Sequence, residues 1–198
     1  MIINVNSDSL IIVLHEIYGI NSHIQMVCET FSSKGYDIIC PNLTQLPEPF
    51  EYNYEKEAYA HFMNNIGFDS AVQSVKRVIA QAKNQYKYTY LLGYSIGATI
   101  AWLCSEEENI CNGIIGYYGS RIRDYINVTP KCPILFIFPD YESSFNVKEL
   151  VCTLKKYNEN IFMVKGKHGF ADPFSKAYYL NSHDEAEKLV IDFLKYNR

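Results

Sequence analysis

The chain has 198 residues, with 18 Lys and Arg against 22 Asp and Glu, so its formal net charge is -4. A hydrophobic fraction of 48% and a charged fraction of 20% are those of an ordinary globular protein, and this length fits one domain spanning 1–198. Without a basic surplus, we expect neither a nucleic-acid partner nor binding to an anionic membrane.

The N-terminal segment and the cysteines predict a cytoplasmic protein. No positive charge precedes the first apolar residues, and the densest apolar runs, 11–14 and 133–138, are far shorter than the about 20 residues that span a bilayer. The six cysteines show no CxxC pair and no metal-ligand spacing, and most lie in apolar segments. We therefore expect buried free thiols in a reducing compartment and no metal site.

Short β-rich segments alternate with helical patterns along the chain, as in a parallel sheet with crossover helices. The predicted strands are 10–14, 37–40, 88–92, 113–116, 133–138 and 161–164. The predicted helices are 22–34, 69–83, 96–104, 147–157 and 184–194. Because several strands are apolar on both faces, we expect an α/β fold in which helices cover both faces of a doubly wound, mostly parallel sheet of about six to seven strands.

Residues 44–68 are too long for an ordinary connection between two elements of such a fold. This segment, called the 44–68 excursion below, is rich in Pro, Glu and aromatic residues. It is either a surface excursion that packs its own aromatic side chains or a lid that lines a substrate pocket. The sequence leaves both interpretations open.

The pattern G-x-S-x-G occurs at residues 93–97, between a predicted strand and an apolar predicted helix. Its glycines let the strand and the helix approach closely, and its serine stands on a sharp turn. The helix dipole and the free N–H groups at a helix N-terminus stabilise negative charge that develops there. We therefore predict that Ser95 is a nucleophile.

A serine nucleophile needs a base, and the base of an α/β-hydrolase is oriented by an acid, in the chain order Ser, acid, His. His168 fits this order, because it follows the last predicted strand and precedes a glycine. The acid should follow the strand 133–138, where Asp140 and Glu142 are both candidates.

Several segments resemble the dienelactone hydrolase family of α/β-hydrolases in order and spacing. They are 12–21, 35–43, 93–97, 116–119 and 168–170, which together cover nearly the whole chain. The resemblance implies a compact α/β-hydrolase fold and the hydrolysis of a small ester or lactone through an acyl-enzyme, without a cofactor.

The same resemblance implies roles for individual residues. The oxyanion hole would use the backbone N–H groups of Ile17 and Ile96. Glu16 matches the family's glutamate, which lies near the nucleophile and takes part in its activation, although Glu16 can also serve only to hold the loop that carries Ile17.

Two further inferences concern the substrate pocket and the acid. Tyr18 and Tyr118 are predicted to contact the substrate. The family's spacing from Pro133 places the triad acid at Glu142, with Asp140 as the alternative.

The chain departs from the family pattern at two positions. Ser95 stands where the founding enzymes carry cysteine, and Asp172 stands where they carry an arginine that holds the substrate's carboxylate. No arginine precedes Arg77, and although Arg121 and Arg123 follow residues 117–119 and could approach the pocket, we expect them to lie at the surface. A neutral or weakly polar ester is therefore the predicted substrate, since an anionic one would be repelled.

Other functions remain open on the sequence alone. The chain could be a catalytically idle hydrolase fold that binds a small molecule, although an intact set of Ser, acid and His argues against this. The same site could also perform acyl transfer or cleave thioesters. The expected partner is a small-molecule ester or lactone, and the chain is either a monomer or a homodimer.

Overall fold

The computed structural model describes residues 1–156 and 160–198. Its strands are β1 (Ile2–Ile3), β2 (Ser9–Leu14), β3 (Asp37–Ile39), β4 (Tyr88–Tyr94), β5 (Gly113–Tyr117), β6 (Ile134–Pro139) and β7 (Ile161–Val164). They form one seven-stranded sheet in the order β1-β3-β2-β4-β5-β6-β7. Every neighbouring pair is parallel except β1 with β3. The prediction of a mostly parallel sheet is confirmed. The sequence analysis did not predict β1, because its two residues are too few to form a pattern.

The helices are α1 (Ser22–Ser33), α2 (Glu55–His61), α3 (Gly67–Ala82), α4 (Ile96–Cys104), α5 (Val147–Leu154) and α6 (Leu180–Tyr196). The N-terminus of α1 is capped by Asn21, whose side chain accepts a hydrogen bond from the Ile24 amide. α5 ends earlier than predicted, and residue 157 of that prediction lies outside the described residues. None of the helices in the described ranges is both long and apolar enough to cross a membrane.

Both faces of the sheet are covered by helices, as the apolar strands predict. In β2 all residues are buried, and alternate side chains enter two different cores. Leu10, Ile12 and Leu14 pack in one core with residues of α3, α4 and α5. Ile11 and Val13 pack in the other core with residues of α1 and α6. The arrangement is the doubly wound α/β fold.

The cysteines are all unpaired, but they are not all buried. Cys28, Cys40 and Cys104 lie in the interior, and the remaining three are partly or fully exposed. The expectation of buried thiols is therefore wrong for Cys152, which lies on the exposed side of α5.

The turn between β4 and α4 has no room for side chains at its two glycines. A Cβ added to Gly97 would lie 2.1 Å from the carbonyl oxygen of Leu14, and one added to Gly93 would lie 2.3 Å from that of Gly97. Between them, Ser95 has φ of 54°, a left-handed conformation that strains residues with a Cβ. Close packing of α4 against the end of β2 therefore holds the serine in this conformation.

This contact predicts a large loss of stability for Gly97→Ala. The new methyl group must displace backbone atoms of β2, so we expect the free energy of unfolding to fall by about 3 kcal/mol. Gly67→Ala is the control, because no atom lies within 4 Å of a Cβ added there, so only the positive φ of Gly67 opposes a side chain. The free energy of unfolding of Gly67→Ala should fall by only about 1 kcal/mol. Urea denaturation of both variants tests this, and equal losses would contradict the steric explanation.

Candidate active site

Three loops at the carboxyl ends of neighbouring parallel strands bring Ser95, His168 and Glu142 together. Ser95 follows β4, Glu142 follows β6 and His168 follows β7. The Ser95 Oγ lies 2.9 Å from Nε2 of His168, and Nδ1 of His168 lies 2.7 Å from Oε1 of Glu142. The three side chains thus form a continuous hydrogen-bonded chain from hydroxyl to carboxylate, which is the geometry of a catalytic triad.

The two candidate acids have different partners. Glu142 contacts the imidazole of His168 and its side chain is 8% exposed. Asp140 is exposed and instead accepts a hydrogen bond from the Gly166 amide at 2.9 Å, across the two loops that follow β6 and β7. Its carboxylate therefore ties the two loops together without contacting the imidazole.

Opposing effects act on the pKa of His168. Burial alone would lower this pKa, but the hydrogen bond and charge of Glu142, together with the charges of Glu16 and Glu55, raise it above its usual value. A carboxylate beside the imidazole stabilises the protonated form. The same interaction would stabilise an imidazolium formed during a reaction at Ser95.

Ile17 and Ile96 line the same cavity as Ser95. Ile96 is the first residue of α4, and Ile17 lies in the loop that follows β2. Within residues 1–156 and 160–198, neither amide donates a hydrogen bond to a protein acceptor. Two such donors beside a nucleophile match what an oxyanion hole requires.

Glu16 is buried, and its carboxylate contacts Tyr118 and His23. Its Oε1 accepts a hydrogen bond from the Tyr118 hydroxyl at 2.9 Å, and its Oε2 lies 3.8 Å from Nδ1 of His23. Burial raises the pKa of Glu16, but the interactions with His23, His168 and Tyr118 lower it overall, so the carboxylate is ionised at neutral pH. In the described residues Glu16 forms no hydrogen bond with Ser95.

His23 and Asp172 complete a buried cluster with Glu16 that the sequence analysis missed. Nδ1 of His23 lies 3.8 Å from Oδ2 of Asp172, the same distance as from Glu16. Burial lowers the pKa of His23, but both carboxylates raise it overall. No sequence signal marks His23, because a histidine early in a helix is usually solvated.

This cluster is also the group in the described chain whose residue types and spacing would permit a metal ion. The ligand atoms of Glu16, His23 and Asp172 all lie within 4.8 Å of one another. We interpret the cluster instead as an imidazolium between two carboxylates. The two carboxylates raise the pKa of His23, which favours the protonated ring, and in the described residues neither ring nitrogen forms a hydrogen bond of the kind that orients a metal-binding histidine.

The two tyrosines predicted to contact the substrate occupy different places. Tyr18 lies on the cavity wall, with its ring edge-to-face against Tyr52 at 4.8 Å. The prediction for Tyr118 is wrong, because its side chain is fully buried beneath His168, with ring centroids 4.8 Å apart. Its hydroxyl donates a hydrogen bond to Glu16, so Tyr118 contacts site residues from the buried side.

The 44–68 excursion has contacts both with the core and with the cavity. Phe62 packs edge-to-face against Phe68 in the core. Tyr52, Glu55 and Tyr59 line the cavity of about 410 Å³ that contains Ser95 and His168. The Tyr52 hydroxyl donates a hydrogen bond to Asp172 at 2.5 Å, which attaches the excursion to the loop after His168.

Arg121 lies on the wall of this cavity, so the expectation that it points to the surface is wrong. It follows β5 in a short 3-10 turn, Ser120–Asp124, whose first two residues line the cavity. Its Nε lies 2.9 Å from Oδ2 of Asp124, so its charge is already paired. A turn of this kind leaves no periodic pattern from which the direction of the side chain could be predicted.

Comparison with known proteins identifies the family of this chain. Residues 3–197 match the model of the dienelactone hydrolase family. Uncharacterized protein YczH from Bacillus subtilis (strain 168) is 38% identical over 169 residues, covering 84% of this chain and 82% of its own length. Carboxymethylenebutenolidase from Pseudomonas putida is 22% identical over 202 residues, covering 93% of this chain and 84% of its own.

Solved structures show the same fold. A protein from Klebsiella pneumoniae subsp. pneumoniae MGH 78578 superposes with a TM-score of 0.79 at 18% identity, covering 96% of this chain and 88% of that one. The family match spans nearly all of the sequence, and the fold is the one that this structural neighbour has. The chain belongs to the dienelactone hydrolase family.

Proposed function

We propose that the chain is a serine hydrolase that cleaves a small ester or lactone through an acyl-enzyme. The observation that carries this proposal is the hydrogen-bonded chain Ser95–His168–Glu142 beside two free amides. Membership of the family supports a hydrolase, and the triad and the substrate class are our own extension of it.

In the proposed reaction, Oγ of Ser95 bonds to the substrate's carbonyl carbon while Nε2 of His168 takes the hydroxyl proton. The oxyanion accepts hydrogen bonds from the amides of Ile17 and Ile96. His168 then gives its proton to the leaving alkoxide as the ester bond breaks. A water molecule repeats the sequence to release the acid, and Glu142 stabilises the imidazolium in both halves.

The charge and size of the cavity favour a small ester without a negative charge. The carboxylates of Glu16, Glu55, Glu142 and Asp172 border it, whereas Arg121 is paired with Asp124. A volume of about 410 Å³ suits a small molecule. Tyr18 and Tyr52 form the wall shared with a neighbouring cleft of about 730 Å³, which offers room for a longer alcohol or acyl group.

The first prediction tests the nucleophile. Ser95→Ala should lower kcat for p-nitrophenyl acetate by a factor on the order of 10⁶ and abolish labelling by a fluorophosphonate, because no other group can form the acyl-enzyme. Its thermal midpoint should not fall, which serves as the folding control. Stoichiometric labelling of the variant would show that the nucleophile is another residue. A wild-type chain that neither labels nor turns over would favour the idle binding module.

The second prediction tests the acid. Glu142→Gln should lower kcat by about 10⁴, as loss of the orienting carboxylate does in serine proteases. Asp140→Asn is the control and should cost tenfold or less, about 1.4 kcal/mol. Because Glu142 raises the pKa of His168, its loss should also move the acid limb of the kcat/KM profile to lower pH. The reverse order of the two kcat values would assign the role to Asp140.

The third prediction tests the substrate's charge. The neutral ester p-nitrophenyl acetate should be cleaved with kcat/KM at least about tenfold above that of the monoanion p-nitrophenyl succinate, a difference of about 1.4 kcal/mol. Arg121→Gln should change the two values equally, because the arginine is already paired with Asp124. Faster cleavage of the anion, lost selectively in Arg121→Gln, would identify this arginine as a carboxylate-binding group.

A further inference from the structure

His15 is a buried histidine beside the candidate site that plays no part in the proposed proton transfers. It is the residue after β2 and is 0% exposed. Its Nε2 lies 2.8 Å from the backbone nitrogen of Leu43, and its Nδ1 lies 2.5 Å from the carbonyl oxygen of Glu16. Both ring nitrogens are therefore used in contacts with the backbone.

These two contacts determine the tautomer of His15. The Leu43 nitrogen carries a proton, so it must donate, and Nε2 must be the unprotonated acceptor. The proton of the neutral ring is then on Nδ1, which donates to the Glu16 carbonyl. Burial lowers the pKa of His15 to about 4, so the ring stays neutral at physiological pH.

The Glu16 carbonyl belongs to the same peptide unit as the Ile17 amide. The described chain contains no cis peptide bond, and in a planar trans unit the C=O and the N–H point in opposite directions. His15 and the Gly19 amide, at 3.2 Å, both donate to this carbonyl from the protein side. The Ile17 N–H therefore points away from these two donors, and Ile17 itself lines the cavity that Ser95 also lines.

We propose that His15 is a positioning residue for the oxyanion hole, which orients the Glu16–Ile17 peptide so that its N–H faces the developing oxyanion. A hydrogen bond donated to the carbonyl also polarises the peptide unit, which makes its N–H a stronger donor. This inference rests on the proposed acyl-enzyme chemistry and adds a residue to it that never contacts the substrate.

Three variants of the full chain separate this role from simple packing. His15→Leu removes both contacts. His15→Asn places an amide N–H near the position of Nδ1 and restores the bond to the Glu16 carbonyl. His15→Gln is the matched control, because its longer amide reaches toward the position of Nε2 and can accept from Leu43 without replacing the bond to Glu16. Thermal midpoints of the three variants report their folding.

The kinetic measurements use p-nitrophenyl acetate. We expect His15→Leu and His15→Gln to lower kcat by about 10–100-fold, a fraction of the loss caused by deleting an oxyanion donor. KM should stay within about twofold, because the ground-state ester makes weaker use of the N–H. His15→Asn should recover kcat to within about fivefold of the wild type.

A second readout isolates the oxyanion contact. Sulfur accepts hydrogen bonds weakly, so the rate ratio between an ester and its thionoester reports the hydrogen bonds to the oxyanion. This ratio should fall at least about fivefold in His15→Leu and be restored in His15→Asn. A change in packing alone would slow both substrates equally.

The outcomes distinguish this inference from the proposed function. If the wild-type chain labels and turns over, and His15→Leu keeps its kcat and its ester-to-thionoester ratio, the role of His15 is overturned and the hydrolase remains. If His15→Gln recovers kcat and His15→Asn does not, the role of His15 is likewise overturned, because the contact with Leu43 would then be the important one. A wild-type chain without turnover overturns both.

Discussion

The close contact between the start of α4 and the end of β2 is the constraint on which the site depends. Because Gly97 has no Cβ, its backbone lies against the Leu14 carbonyl, and the helix N-terminus reaches the loop that carries Glu16 and Ile17. That contact places the strained Ser95 beside amides from two different elements. Ser95 and both candidate oxyanion donors therefore depend on the same few backbone atoms, and a displacement of α4 would move all of them relative to one another.

A second layer of buried polar groups lies around these atoms, and it includes two histidines whose neighbours decide their protonation. His15 holds a carbonyl as a neutral donor, whereas His23, between Glu16 and Asp172, is favoured in its charged form. The difference follows from their neighbours, since one ring contacts backbone groups and the other contacts carboxylates. Two histidines at similar depth thus have opposite pKa shifts, and neither contacts the Ser95 hydroxyl in the described chain.

The features that the sequence predicts are those encoded by local pattern. Apolar strands, the G-x-S-x-G turn and the position of His168 follow from periodicity and from the loops at strand ends, whereas the choice of Glu142 over Asp140 rests on the resemblance to the family. What the sequence could not predict depends on which way a side chain faces after folding. Arg121 turns toward the cavity, Tyr118 lies under the histidine, and His23 is buried by packing between α1 and β4, where its ring meets Tyr94 at 4.9 Å. The short helix α2 in the 44–68 excursion leaves too few turns to show a period.

The hydrogen bond from Tyr52 to Asp172 has a consequence for how proteins of this kind can diversify. The reactive groups are carried by loops at the ends of sheet strands, while Tyr52, Glu55 and Tyr59 belong to a segment outside the sheet. Substitutions at Tyr52, Glu55 or Tyr59 alter the shape of the cavity without removing a core side chain, because the core contacts of the same segment are made by other residues, such as Phe62 and Phe68. Natural selection can therefore change which small molecules fit the cavity while Ser95, His168 and Glu142 keep their positions.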